Sequence, residues 1–277
     1  MSRYSAAHAN PQGPTDTRPT AMQIIQDEQM QGKLVGKAVV ITGVSSGLGI
    51  ETARALSATG ATLYMTARGL DKAKTALGDI FDPSRMELVH MDQTSLQSLR
   101  TAAQSIISKT DKITILICNA GVLAVKNLQF TNQCYELQFA TNHLAHCLLF
   151  ELLKPALLAG SSSEFQSRVV IVSSSGHRMI RGLGPSDNYH YQKGEYDPRK
   201  KRIPSQRLMT RLPFGGTVSK ELEGKGSVFL DNYAVAEGGN YDENPFSGNT
   251  VPHTYCPPDE ARLWKDSLEM VGLSRED

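Results

Sequence analysis

The chain has 277 residues, with 29 Lys and Arg against 28 Asp and Glu, a net charge of +1, and 40% hydrophobic residues. This balance fits one large globular domain with a substantial core, and it offers no charge excess to attract nucleic acid or an anionic membrane. No apolar run is long enough to span a bilayer, the start Met1-Ser2-Arg3-Tyr4 has no apolar signal core, and Cys118, Cys134, Cys147 and Cys256 lack metal-ligand spacing, so they read as free thiols of a reducing, cytoplasmic compartment.

Residues 1–20 are rich in Pro, Thr, Gln, Ser and Ala without an apolar period and read as a disordered head. A short helix is expected at 21–31. A regular alternation follows: an apolar strand at 38–42, a helix at 47–59 with Ile50, Ala53 and Leu56 on one face, and a strand at 61–66. Next come a helix near 70–78, a strand at 87–91, a helix at 95–108, a buried strand at 113–118, a long helix at 133–158 and a fifth strand at 169–172. Apolar strands without polar alternation, separated by helices, predict a parallel sheet covered on both faces. The expected fold is a single doubly wound α/β domain over 21–235, binding its ligand at the carboxyl ends of the strands near the switch point.

The pattern is lost over 178–216, where Pro185, Pro198, Pro204, Pro213 and the basic run Arg199-Lys200-Lys201-Arg202 interrupt it. The C-terminal part is therefore irregular or incomplete. A helix is expected to resume at 217–222 and a last strand at 227–230. Residues 236–277 form a C-terminal loop and helix: the loop covers about 237–258, and the helix at 258–271 has Ala261, Leu263, Trp264, Leu268 and Val271 as apolar positions.

Thr42-Gly43-Val44-Ser45-Ser46-Gly47-Leu48-Gly49 joins the first strand to its helix. Glycines there let the backbone turn tightly and approach a pyrophosphate without side chains in the way. The helix N-terminus offers free N–H groups and a positive dipole end to that anion, and Ser45 and Ser46 add hydroxyl donors. The spacing Thr-Gly-x-x-x-Gly-x-Gly differs from the G-x-G-x-x-G of ordinary Rossmann dehydrogenases and resembles the short-chain dehydrogenase/reductase family.

The resemblance covers roughly 36–177. Asn119-Ala120-Gly121 after the fourth strand matches the family's Asn-Ala-Gly motif. Asp92 ends the third strand, where the family places an aspartate that contacts adenine. Asn142 matches its helix asparagine, and Ser174 its catalytic serine. The branch it looks most like is the retinol-dehydrogenase-like and WW-domain-oxidoreductase-like one, particularly its fungal members, although no WW domain is visible. The resemblance implies a Rossmann-like fold, a nicotinamide cofactor held by the glycine loop (Leu48 included), and interconversion of a carbonyl with an alcohol, with secondary metabolism as a common setting among fungal relatives.

The second strand ends Leu63-Tyr64-Met65-Thr66-Ala67-Arg68 without the carboxylate that an NAD enzyme usually aims at the ribose 2′-OH. Arg68 can pair with a 2′-phosphate in a bidentate, charge-assisted way, and Lys72 stands a turn further on. The expected cofactor is NADP(H). The alternative is that both are solvated surface charges.

The family mechanism also needs a tyrosine and a lysine at i, i+4 spacing. Two literal matches exist, Tyr189 with Lys193 and Tyr196 with Lys200, but Gly194 follows the first and Pro198 lies inside the second. The family pattern disappears after Pro198 and returns near Thr217. This leads to the expectation that several tens of residues carrying the catalytic helix are missing there, as a mis-spliced transcript or faulty gene model would produce. His143 and His146 have no third ligand in the sequence and read as structural, so no metal site is expected. Three functions remain open: an NADP-dependent oxidoreductase acting on a small apolar substrate, an NADP(H)-binding chain without catalysis, and a structural interaction protein. Homo-oligomers are compatible with any of them.

Overall fold

The structure, a computed structural model, describes residues 4–8, 12–13, 16–123, 125–174, 188–191, 196, 230–231, 234–236, 238, 250, 252 and 256–273. Its centre is a five-stranded parallel sheet built from β1 (Ala38–Thr42), β2 (Thr62–Ala67), β3 (Met86–His90), β4 (Ile115–Cys118) and β5 (Arg168–Ile171), in the order β3-β2-β1-β4-β5. The chain winds outward from β1 through β2 to β3, then crosses back to place β4 on the other side of β1. This leaves a switch point between β1 and β4, the place where open parallel α/β sheets bind ligands.

The strands read as continuous apolar runs because both faces are covered. Val39 and Ile41 point to one side with Leu63, Met65, Ile115, Ile117 and Val170, against α2 (Ala21–Asp27), α3 (Leu48–Ser57) and α4 (Leu70–Leu77). Val40 points to the other side with Tyr64, Val89, Leu116 and Cys118, against α5 (Leu96–Ile107) and α7 (Ala145–Gly160). Each fully buried aliphatic or aromatic side chain contributes about 1.5–3 kcal/mol.

The helix expected at 133–158 is subdivided. Residues 131–136 turn instead, with Cys134 at φ 61° and the Thr131 N–H donating to the Tyr135 carbonyl. The helix then starts as α6 (Leu137–Phe139), capped by the Glu136 carboxylate, which accepts from the Phe139 N–H at 2.7 Å. A π-helical segment (Ala140–Leu144) follows, in which the Ala145 N–H donates to the Ala140 carbonyl, and only then does α7 run on.

At the N-terminus, α1 (Ser5–His8) belongs to a head that sequence alone reads as disordered, yet the Tyr4 hydroxyl donates to Asp27 at 3.1 Å and Tyr4 packs beside the α2 core. The short β6 (Leu230–Asp231) pairs antiparallel with β7 (Ala234–Val235). The expected helix at 217–222, and most of 178–216, lie outside the described residues. The closing helix α8 is Pro257–Met270. Its buried face is Leu263, Ser267 and the following Val271, whereas Ala261 and Trp264 are exposed. A serine belongs to that face because its hydroxyl is satisfied by the Leu263 carbonyl and by His143.

Candidate active site

The strand register brings the sequence motifs to one edge of the sheet. β1 leads into the glycine loop, whose Gly43 N–H donates to the Thr66 carbonyl of β2 at 3.0 Å. The Met91 N–H donates to the Ala67 carbonyl, so Arg68 and Asp92 leave the sheet side by side. The Val172 N–H donates to the Cys118 carbonyl, so Ser174 emerges beside Asn119-Ala120-Gly121. Ser174 is exposed, and the neighbouring Ser173 hydroxyl is buried with no hydrogen-bond partner among the described residues.

Gly43 has φ +76°, and a Cβ added to it would stand 2.7 Å from the Ala120 Cβ. A Cβ on Gly49 would stand 2.1 Å from the Gly43 carbonyl oxygen. These two glycines permit close packing of the loop on α3 and on the β4 exit. Gly47 is different. Its φ of +62° favours glycine, but the space where its Cβ would lie is open. It precedes α3 with no side-chain cap, Ser46 and Leu48 beside it are exposed, and Ser45 is half-buried. The helix end therefore presents uncapped N–H groups to an open space, an arrangement suited to an anion.

Arg68 and Lys72 are both exposed and make no hydrogen bond or ion pair among the described residues. Asp92 spends Oδ1 on the Thr94 N–H (2.9 Å) and hydroxyl (2.8 Å), which leaves Oδ2 uncommitted.

Behind these groups lies a buried polar network. The Thr42 hydroxyl oxygen accepts from the N–H groups of Asn119 (2.9 Å) and Ala120 (3.0 Å). Asn119 Nδ2 donates to the carbonyls of Thr42 and Gly43. Asn142 uses both ends of its amide on Val122, accepting from its N–H and donating to its carbonyl, each at 2.8 Å. It therefore clamps the loop that leaves Gly121, with one amide hydrogen and one oxygen lone pair beyond these two bonds. His146 Nε2 lies 3.1 Å from the Thr42 hydroxyl and 2.9 Å from Gln93 Nε2, and Nδ1 lies 3.2 Å from the Asn142 carbonyl. Sequence reading overlooks Gln93 and gives His146 only a structural part. Their one signal is position: Gln93 follows Asp92, and His146 follows Asn142 by one helical turn.

The tyrosine candidates are occupied elsewhere. The Tyr189 hydroxyl donates to Asp266 of α8 at 2.8 Å, and its ring stacks on Phe139. Burial, reinforced by Asp266, holds its pKa far above the ordinary value. Tyr196 donates to the Val125 carbonyl and accepts from Gln138, and burial raises its pKa too. A proton-transferring tyrosine needs the opposite shift. Lys193 and Lys200 lie outside the described residues.

The family model for short chain dehydrogenases matches residues 37–184, more than half of the chain. The chain belongs to the short-chain dehydrogenase family. It is accordingly a member of an oxidoreductase family. It is 34% identical to the short-chain dehydrogenase/reductase prx1 of Penicillium roqueforti, over 98% of this chain and 96% of that protein. It is 32% identical to human retinol dehydrogenase 13 over 69% of this chain and 56% of that one. Among solved structures, it is similar in fold to an uncharacterized Mycobacterium paratuberculosis protein, with a TM-score of 0.64 at 24% identity, covering 89% of this chain and 97% of that chain. The alignment to prx1 runs over 334 positions while this chain has 277 residues, so at least 57 positions (334 less 277) lie opposite gaps in this short-chain dehydrogenase. Among the described residues, no group of three or more His, Cys, Asp or Glu is placed to hold a metal, and no helix is long and apolar enough to cross a membrane.

Proposed function

We propose that this chain binds NADP(H) and serves as an NADP-dependent oxidoreductase interconverting a carbonyl with an alcohol on a small apolar substrate, in a fungal secondary-metabolite pathway. One observation carries the cofactor reading. An open, uncapped helix N-terminus at Gly47 stands next to a β2 exit where Arg68 and Lys72 have no ion-pair partner among the described residues and no carboxylate ends the strand. In this reading Gly43, Ser45, Ser46, Gly47, Leu48 and Gly49 receive the pyrophosphate. Arg68 and Lys72 receive the 2′-phosphate, Asp92 Oδ2 the adenine, and Asn119, Ala120 and Gly121 line the nicotinamide side. When bound, the nicotinamide supplies hydride transfer. Ser174, at the β5 exit, would hold the substrate oxygen, with Asn142 keeping the loop beneath it in place.

A second reading has specific support: an NADP(H)-binding chain impaired in catalysis. Tyr189 and Tyr196 are both committed to other partners, the family match ends at residue 184, and at least 57 aligned positions of prx1 have no counterpart here. A gap between Pro198 and Thr217 accounts for all three. Without the tyrosine and lysine, acid–base catalysis worth about 10²–10⁴-fold is lost.

Titrating the purified chain with NADPH by fluorescence, followed by turnover on a panel of carbonyl compounds, separates the readings. Binding with turnover supports the enzyme, and binding alone the impaired chain. Absence of binding rejects both. Sequencing the cDNA across codons 198–217 tests the gap: a transcript encoding these residues, in a chain with normal turnover, rejects it. Arg68→Asp is expected to lower the affinity for NADPH relative to NADH by about 10–100-fold, the value of one or two charge-assisted hydrogen bonds. An unchanged ratio would remove Arg68 from the 2′-phosphate site.

A further inference from the structure

His146 is buried in the first turn of α7, and the proposed function gives it no part. Its partners fix its tautomer, and two donors, Gln93 and Thr42, share the single lone pair of Nε2. The Asn142 carbonyl can only accept, so Nδ1 carries the proton and donates to it. Nε2 is then an acceptor. Gln93 Nε2 can only donate, and it does so to His146 at 2.9 Å and to the Thr141 carbonyl at 3.2 Å. The Thr42 hydroxyl already accepts from the N–H groups of Asn119 and Ala120, and its proton is directed to His146 at 3.1 Å, with the Ile117 carbonyl at 3.4 Å as the longer alternative.

One imidazole therefore joins four segments. These are the end of β1 that starts the glycine loop, the Asn119-Ala120 turn after β4, Gln93 beside Asp92 after β3, and the π-helical segment that carries Asn142. No two of these segments are adjacent in sequence; the first three carry groups assigned above to the cofactor, and the fourth carries Asn142, which clamps the loop after Gly121. Removing the imidazole leaves Thr42 able to turn its proton to Ile117, leaves Gln93 with only its bond to the Thr141 carbonyl, and takes the side-chain donor from the Asn142 carbonyl. The strands would stay in place through their ladders, but the loops beyond them would lose their common reference.

We propose that His146 is a positioning residue of the cofactor site: as a neutral Nδ1–H imidazole it sets the glycine loop, the Asn119-Ala120 turn and the Asp92 turn relative to one another. This rests on the NADP(H) reading, and the unaltered chain serves as the control for that reading. NADPH affinity is measured by fluorescence titration at a temperature where circular dichroism shows each variant fully folded. His146→Phe keeps the volume and removes every hydrogen bond. His146→Gln keeps an acceptor and a donor on a side chain of similar reach. The expected result is a loss of affinity of about tenfold or more for the phenylalanine variant, with most of it recovered by glutamine. Gln93→Met, at a half-buried position, removes the hydrogen bonds to His146 and to the Thr141 carbonyl; it is expected to weaken NADPH binding by about threefold and provides the test if the phenylalanine variant does not fold. A folded His146→Phe, or in its place Gln93→Met, that binds NADPH as the unaltered chain does would overturn the inference while leaving the cofactor reading intact. Equal loss with phenylalanine and glutamine would overturn it as well, because restoring a donor and an acceptor at the position would then make no difference to binding. No NADPH binding by the unaltered chain would remove the cofactor reading and this inference with it.

Discussion

Gly47 and Gly49 stand two residues apart in one motif, yet the structure gives them different tasks. At Gly49 an added methyl meets the Gly43 carbonyl oxygen and Asn119 Nδ2, so Gly49→Ala is expected to destabilise the fold itself by about 3 kcal/mol. At Gly47 the methyl meets nothing, and Gly47→Ala should cost only the backbone strain of positive φ, about 1–2 kcal/mol, while NADPH affinity collapses because the methyl fills the space of the phosphate. Thermal unfolding beside an NADPH titration separates the two. Equal stability losses would mean that the loop is a structural turn alone. Both glycines are legible in the sequence as a motif, but the division of labour is not, because it depends on Asn119 and on a gap in space that no spacing encodes.

The five strands of the parallel sheet are the most legible elements because burial on both faces leaves unbroken apolar runs, and the sequence places each of them within two residues of its observed ends. The helix around Asn142 is the least legible. Periodicity predicts one helix from 133, whereas the chain turns until Glu136 caps it and then carries a π-helical segment where Asn142 grips Val122. The irregularity coincides with a contact between residues twenty apart in sequence, which no local pattern reports. The docking of α8 shows the same effect. Ser267 lies on its buried face because the hydroxyl donates to the Leu263 carbonyl and accepts from His143 Nε2 at 2.7 Å. Ser267→Ala leaves a buried imidazole N–H without an acceptor. A loss of about 1–3 kcal/mol is expected in denaturant unfolding. A loss below about 0.5 kcal/mol would mean that α8 docks through Leu263 and Val271 alone.

Two buried histidines give the whole molecule a pH dependence. Burial pushes both His143 and His146 down to about 4. The unfolded chain binds these protons at about pH 6.5 and the folded chain does not, so this contribution is complete above that pH and is lost as the pH falls through about 4. The loss is on the order of 3 kcal/mol for each histidine. Urea unfolding at pH 7 and pH 4.5 should show it, and His146→Gln should remove its share. Identical stability at the two values would mean that neither ring is held neutral by the fold. The amino-acid order alone specifies the parallel α/β sheet, the glycine loop and the cations at the β2 exit, because apolar runs and short motifs are local properties of the chain. The Thr42–His146–Gln93 network, the use of Asn142 as a clamp and the commitment of Tyr189 to Asp266 follow from the packed chain alone, because each joins groups that become neighbours only once the sheet and its covering helices have formed.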